Sequence, residues 1–142
     1  MIKYMMKYLL ILLLPMVVVS GCVDQSPVNY AVSSSLQANK ITLTLDRLSA
    51  EIPNSLVVQF FHRNELTISK NGVSLERLGN GDIITSKAVL GTDQKSATYE
   101  FLVSGGKEGV SGYIVNVNVT SSYNGKEKIH YETALNNVIA GK

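Results

Sequence analysis

The chain contains a single cysteine, Cys22, only two histidines and no tryptophan. One cysteine excludes an intramolecular disulfide, a CxxC redox motif and a zinc site built from cysteines. The fold must therefore be stabilised by side-chain packing alone. Nucleophilic catalysis needs a base beside the nucleophile, and no such set of residues emerges from the sequence. We predict that the protein is not an enzyme.

Neither sign of charge dominates the chain. Basic and acidic residues number 13 and 11. Lys3 and Lys7 precede Cys22 and no acidic residue does, which leaves 11 basic and 11 acidic residues after the cysteine. Nucleic-acid binding requires clustered Lys and Arg that displace counterions from phosphates. Because no such cluster is present, we predict no nucleic-acid partner.

The N-terminal apolar run is too short to cross a membrane as a helix. It covers residues 9–19, which is 11 residues, whereas a spanning helix needs about 20. Two lysines precede the run, and Ser20 and Gly21 follow it. This order of charged, apolar and small residues is typical of a secretory signal. We predict a signal peptide at residues 1–21, cleaved between Gly21 and Cys22.

The four residues Val19-Ser20-Gly21-Cys22 resemble the lipobox of bacterial lipoproteins. The resemblance implies a diacylglycerol thioether on the Cys22 sulfur and an acyl chain on the new amine, with no other cofactor. Two or more chains hold a protein stably on a membrane. In a cell with two membranes, Asp directly after the cysteine resembles an inner-membrane retention signal. Val23 stands there and Asp24 one place later, which favours a lipid anchor in the outer membrane, facing the periplasm.

Residues 22–39 follow as a predicted lipidated N-terminus and flexible tether, because the stretch contains Pro27, three consecutive serines and few large apolar side chains. The seventeen residues from Val23 to Asn39, as a flexible chain, would have an end-to-end distance of about 20 to 25 Å. Val28, Tyr30 and Val32 alternate, however. An edge strand that docks on the domain is therefore the alternative interpretation.

Residues 40–142 show the two-residue periodicity of half-buried strands. Asn71-Gly72 and Asn124-Gly125 predict tight hairpin turns, since both residue types tolerate positive φ. Residues 56–61 are apolar on both faces, which indicates a central strand. Residues 132–140 are expected to form a short helix or a frayed tail. We predict an all-β domain, an antiparallel β-sandwich of seven to eight strands.

The valine-alternating stretch 112–120, opened by Tyr113 and followed by Asn124-Gly125, resembles the last hairpin of bacterial immunoglobulin-like domains. The resemblance covers about 25 residues and implies an immunoglobulin-like sandwich. The cysteine pair and the tryptophan that pin an antibody core are absent from the sequence.

Two features are candidates for a partner-binding surface. Phe61 shares a strand with Phe60 but has the opposite parity, which predicts a buried second face or an exposed apolar patch. Asn116, Asn118 and Thr120 make one face of the penultimate strand polar and uncharged. Such a strand, if it lies at a sheet edge, can accept a strand of a partner by β-augmentation.

The histidines are weaker candidates for a site. His62 has the parity of Leu56, Val58 and Phe60, whereas His130 alternates with Ile129 and Tyr131 and is predicted to face solvent. A metal site would need a third ligand such as Glu65 or Glu132, and no spacing selects one, so we predict no metal.

Two hypotheses for the function follow from the sequence. The first is a membrane-anchored, non-enzymatic envelope lipoprotein that binds another envelope protein as an accessory of secretion, pilus or conjugation machinery. That association rests on analogy with small lipoproteins of this layout. The alternative is a lipoprotein that binds a small ligand or acts as an inhibitor, with loops 79–82 and 105–112 forming the site.

Overall fold

The structure is a computed structural model that describes residues 25–141. The predicted signal peptide at residues 1–21, its cleavage site at Gly21 and the lipidation site Cys22 lie outside the described residues.

The described part of the chain forms ten strands and no helix. In chain order they are β1 (Tyr30–Gln37), β2 (Lys40–Arg47), β3 (Ser55–Arg63), β4 (Leu66–Lys70), β5 (Val73–Ser74), β6 (Glu76–Leu78), β7 (Ile83–Leu90), β8 (Ser96–Gly105), β9 (Tyr113–Tyr123) and β10 (Lys126–Val138).

These strands form two five-stranded antiparallel sheets. Sheet I has the order β10-β9-β3-β7-β6 and sheet II the order β1-β2-β8-β4-β5. Strands β1, β2, β8 and β4 correspond to A, B, E and D of the immunoglobulin arrangement, and β3, β9 and β10 correspond to C, F and G. Three extra strands, β5 to β7, lie between D and E. The predicted antiparallel sandwich is confirmed, with ten strands where seven to eight were expected.

The core lies between the sheets and follows the two-residue periodicity. Leu56, Val58 and Phe60 of β3 are buried, while the alternate residues of that strand are half-buried on its outer face. Phe60 meets Phe101 of sheet II edge to face, with ring centroids 4.9 Å apart. The predicted central position of residues 56–61 is correct, because β3 pairs with β9 on one side and β7 on the other.

Both predicted hairpin turns are present. Asn71 and Gly72, between β4 and β5, have φ of 54° and 79°, and Asn124 and Gly125, between β9 and β10, have φ of 50° and 81°. Positive φ at two successive residues is the requirement of a type I′ turn, which matches the twist of the flanking strands.

The tether predicted over residues 22–39 is wrong for the part of it that forms a strand. Residues 30–37 form β1, which pairs with β2 over all eight positions. Val28 and Tyr30 are buried in the core, so burial of these alternating side chains offsets the entropy that a flexible tether would retain. The alternative interpretation, an edge strand that docks on the domain, is correct. The folded domain therefore includes residues before the predicted boundary at residue 40.

The C-terminal prediction is also wrong. Residues 132–140 form no helix and no frayed tail, because β10 continues to Val138 alongside β9. Val138 is buried, and Gly141 then makes a parallel bridge to Ser104 in sheet II. Strand pairing with β9 and this final bridge outweigh the weak helical tendency of the segment.

Candidate functional site

The four residues predicted to form a partner surface lie on one face. Phe61 of β3 is directly opposite Asn116 of β9. Asn118 and Thr120 follow on the same side of β9 and face Gln59 and Val57 of β3. All four side chains therefore belong to the outer face of sheet I, away from the core.

The predicted mode of binding at β9 is wrong, however. Strand β9 lies between β10 and β3 and pairs with both, so it is not a sheet edge and cannot accept a further strand. Its polar face is on the outer surface of the sheet, where the Thr120 hydroxyl donates to Asn118 Oδ1 at 2.8 Å and Asn118 Nδ2 donates to Glu132 Oε2 at 3.3 Å. Any partner must bind to the face of this strand through side chains.

One end of this outer face carries a groove of about 640 Å³. We call it the β3–β9 groove. Its apolar lining consists of Phe61, Ile83, Val110 and Ile114, and its charged rim consists of Arg63, Glu65 and Lys107. Of the apolar set, Ile83, Val110 and Ile114 are large side chains exposed to solvent. Exposed aliphatic side chains grouped around one concavity are a feature of interaction sites.

Two charged side chains at the rim of the groove, Arg63 and Glu65, form an ion pair. Arg63 Nε lies 3.4 Å from Glu65 Oε1. Partial burial acts to raise the pKa of Glu65, but the Glu65 backbone N–H, the Arg63 guanidinium and the Tyr113 hydroxyl outweigh it and hold that pKa below its usual range. Glu65 is thus a carboxylate at neutral pH that largely neutralises Arg63.

The loop at residues 106–112, which forms one wall of the groove, is held by Tyr113. The Tyr113 ring is buried, and its hydroxyl accepts a hydrogen bond of 2.6 Å from the Lys107 backbone N–H. This is the arrangement of a tyrosine corner, in which a tyrosine near the start of strand F bonds back to the preceding loop. Gly106 has φ of 95°, and a Cβ there would lie 3.2 Å from the Tyr113 hydroxyl. The loop that forms this wall of the groove is therefore held in place by contacts within the fold.

Loops 79–82 and 105–112, predicted as a ligand site, border the same end of the sandwich. The Asn64 backbone N–H donates to Asp82 O at 2.8 Å, which ties loop 79–82 to the β3–β4 turn. Gly105 pairs with Leu66 immediately after that turn. Only the second loop contributes directly to the groove, through Lys107, Val110 and Gly112.

His62 is buried, as its parity predicts. Its Nδ1 lies 2.8 Å from the Arg63 carbonyl oxygen and its Nε2 lies 2.7 Å from Ser86 Oγ. A carbonyl only accepts, so Nδ1 carries the proton and Nε2 accepts from the serine hydroxyl. Burial lowers the pKa of His62, and the nearby Arg77 cation lowers it further.

The prediction that His130 faces solvent is wrong. Val119 pairs with Tyr131 while Thr120 pairs with Ile129, so His130 is the extra residue of a β-bulge. Its Nε2 lies 2.7 Å from Ser121 Oγ, and its ring meets Tyr30 of β1 edge to face at 5.3 Å. The bulge shifts the parity of the strand, which alternation alone cannot reveal.

The two histidines cannot share a metal ion. His62 is at the end of β3, while His130 contacts Ser121, which pairs with Leu56 six residues earlier in β3. Six residues of strand span about 20 Å. Among residues 25–141, no three side chains of His, Cys, Asp or Glu converge in a way that holds a metal ion.

Sequence reasoning found the groove only in separate parts. It assigned Phe61 and Asn116 to a partner surface and loop 105–112, which contains Val110, to a ligand site, but it identified neither Ile83 nor Ile114. Ile114 could have been identified from the sequence. It alternates with valines in the same way as Asn116 and Asn118, so it is an apolar residue at a position where the strand is otherwise polar. For Ile83 and Val110, a position in the groove depends on which loop and which strand end lie beside β9, and only the tertiary structure shows this.

No helix of the described residues is long and apolar enough to span a membrane. No protein-family model matches the chain, and no curated protein matches it. Among solved structures, the chain is similar to the reeler domain of human F-spondin, with 8% sequence identity and a TM-score of 0.41 over 80% of this chain and 90% of that one.

Proposed function

We propose that this protein is a lipid-anchored envelope protein whose β-sandwich binds another envelope protein through the β3–β9 groove. Its role is that of a non-enzymatic accessory in a secretion, pilus or conjugation type assembly, on the outer membrane and facing the periplasm. The observation that carries the proposal is the open groove on the outer face of sheet I, where Phe61, Ile83, Val110 and Ile114 line one concavity.

The apolar lining supports a protein partner. Ile114 is in β9, which lies between β10 and β3. Its side chain is 57% exposed on the same face as the polar Asn116. An isoleucine in this place gains nothing from the core, whereas burial under a partner would remove its apolar surface from water. Buried aliphatic and aromatic side chains within a polar rim are typical of the energetic centre of an interface.

The lipid anchor of the proposal rests on the sequence of residues 1–22. Intact mass and membrane fractionation of the full-length protein beside a Cys22→Ser variant test it directly. We expect the wild type to gain acyl mass and to fractionate with the outer membrane, and the variant to do neither. A wild type without acyl mass would remove the anchor from the proposal.

The groove is tested by a matched pair of isoleucines. Ile114 is in the groove and Ile129 of β10 is outside it, and their side chains are 57% and 56% exposed. We expect the Ile114→Lys variant to lose a partner captured from native membranes by photo-crosslinking at residue 116, while the Ile129→Lys variant retains it. Loss of an interface centre costs about 2 kcal/mol or more, which is about 30-fold in affinity. Equal capture by both variants would refute the groove as the binding site.

The volume of the groove supports a second candidate, an apolar small molecule. Small-molecule sites commonly measure about 300 to 1,000 Å³, and the groove falls within this range. Native mass spectrometry of the purified protein distinguishes the two candidates. A bound mass that the Ile114→Lys variant loses would favour the ligand. A clean protein mass, together with a captured partner, would favour the protein interface.

A further inference from the structure

The end of the sandwich opposite the groove is the end nearest the predicted anchor. Cys22 precedes Gln25, the first described residue, by three Cα–Cα steps, which span at most about 11 Å in any conformation. Ser26 and Val28 are already buried in the domain. The proposed lipid therefore holds this end of the sandwich close to the bilayer, in contrast to the tether of about 20 to 25 Å that the sequence suggested.

Two exposed aliphatic side chains lie at this same end. The loop at residues 48–54, between β2 and β3, carries Leu48 and Ile52, which are 67% and 50% exposed. The Leu48 backbone N–H donates to Asn29 O at 2.8 Å, and the Asn29 N–H donates to Ser49 Oγ at 3.0 Å. The loop is thus bonded directly to the segment that leads to Cys22.

The loop is also held at its other end and cannot easily fold inward. The Asn54 backbone N–H donates to Ser122 O at 2.8 Å, and Asn54 Oδ1 accepts from the Asn124 N–H at 2.7 Å. Arg47 Nε donates to Ser49 O at 3.2 Å. These bonds fix the loop between the β2 terminus and the β9–β10 turn, so Leu48 and Ile52 stay outside the core.

The charges around the loop are balanced, which bears on the kind of surface it contacts. The loops and strand ends at this end of the sandwich carry four basic and four acidic residues, namely Arg47, Lys95, Lys126, Lys128, Asp46, Glu51, Asp93 and Glu127. An excess of basic residues would be needed for attraction to anionic headgroups. The apolar side chains are therefore the contact that this end offers to a membrane.

We propose that loop 48–54 rests on the bilayer that holds the Cys22 lipid, with the Leu48 and Ile52 side chains inserted at the headgroup boundary. The proposal rests on the lipid anchor of the proposed function. It also orients the domain. Strand β3 begins beside this loop at Ser55 and ends at Arg63. The β3–β9 groove contacts β3 from Phe61 to Arg63, so it is about 20 to 26 Å farther from the membrane, open to a partner in the periplasm.

The absence of tryptophan from the chain allows a direct test. A Leu48→Trp variant is compared with a Val73→Trp variant, because Val73 is equally exposed, at 68%, and belongs to the β4–β5 hairpin away from the anchor-proximal end. An Ile52→Trp variant provides a second reporter. The full-length lipidated proteins are reconstituted into vesicles of phosphatidylethanolamine and phosphatidylglycerol that contain brominated phosphatidylcholine, which quenches an indole only on contact.

We expect insertion into the bilayer to shift the indole emission of the Leu48→Trp and Ile52→Trp variants to the blue, and brominated lipid to remove most of that emission. The Val73→Trp variant should show neither change. If all three proteins float with the vesicles and none is quenched, the lipid anchor stands and the proposed orientation is wrong. If the chain carries no acyl group and does not float, both the anchor and the orientation fall. Shielding of the Leu48→Trp indole in native membranes, without quenching in pure lipid, would indicate a protein at this loop and would overturn the membrane contact.

Discussion

Mild acid should destabilise this protein through its two histidines. His62 is buried and neutral, with its Nδ1–H donated to the Arg63 carbonyl and its Nε2 accepting from Ser86. Burial and the Arg77 cation lower the pKa of His62. Burial, with the Lys128 cation, also lowers the pKa of His130. In the unfolded chain both groups regain an ordinary pKa of about 6.5.

The difference between the folded and unfolded pKa values of the two histidines determines how stability changes with pH. Below about pH 6.5 the unfolded chain binds protons that the folded chain does not bind, so the free energy of unfolding falls as the pH falls. Each histidine contributes a slope of up to about 1.4 kcal/mol per pH unit until its folded pKa is passed. Two histidines together give up to about 2.8 kcal/mol per unit. Above about pH 6.5 the histidine contribution is fully present and constant.

The measurement is urea unfolding followed by circular dichroism, at several pH values between about 5 and 7.5, where carboxylates of ordinary pKa stay ionised. The wild type is compared with His62→Gln, His130→Gln and the double variant. We expect each single variant to lose part of the slope and the double variant to show almost none. Stability of the wild type that does not change over this range, or a double variant that keeps the full slope, would refute the assignment to these side chains.

Three further changes test the packing that supports the groove. Arg77→Ala removes two hydrogen bonds from the guanidinium to backbone carbonyls, at 2.6 and 2.7 Å, and should lower the free energy of unfolding by about 1 to 3 kcal/mol in urea titrations. Gly105→Ala should prevent folding or shift the loop, as seen by circular dichroism, because a Cβ at φ of 87° would lie 2.5 Å from Glu65 O. Phe60→Ala should cost about 3 to 5 kcal/mol by the same urea titration, since Phe60 is fully buried.

Each of these changes has a control in the same chain. Gly125→Ala has positive φ but open space around its Cβ, so it should cost only about 1 kcal/mol of backbone strain; equal effects at residues 105 and 125 would contradict the close-approach argument. Arg77→Lys should recover part of the loss, and full stability of Arg77→Ala would show that water replaces the guanidinium. A Phe60→Leu variant as unstable as Phe60→Ala would argue against a cavity as the cause.

Local chemistry explains where prediction from the sequence succeeded. The turns at Asn71-Gly72 and Asn124-Gly125 need only the positive φ that these residue types tolerate, and the strand faces need only alternation. The predictions were wrong where another feature of the sequence or the structure obscured the alternation of apolar and polar residues. Pro27 and the serine run concealed β1, and the bulge at His130 changed the parity that the prediction assumed constant.

The sequence by itself determined the all-β character, the hairpin turns and the central position of residues 56–61. Each of these depends on residues adjacent in the chain. Only the tertiary structure decided that β9 has a partner on both sides, that Val110 and Ile83 lie beside Phe61, and that Leu48 is bonded to Asn29 in the segment before β1. The reason is physical: alternation specifies which side chains share a face of a strand, whereas the order of strands in a sheet depends on long-range pairing that no local pattern encodes.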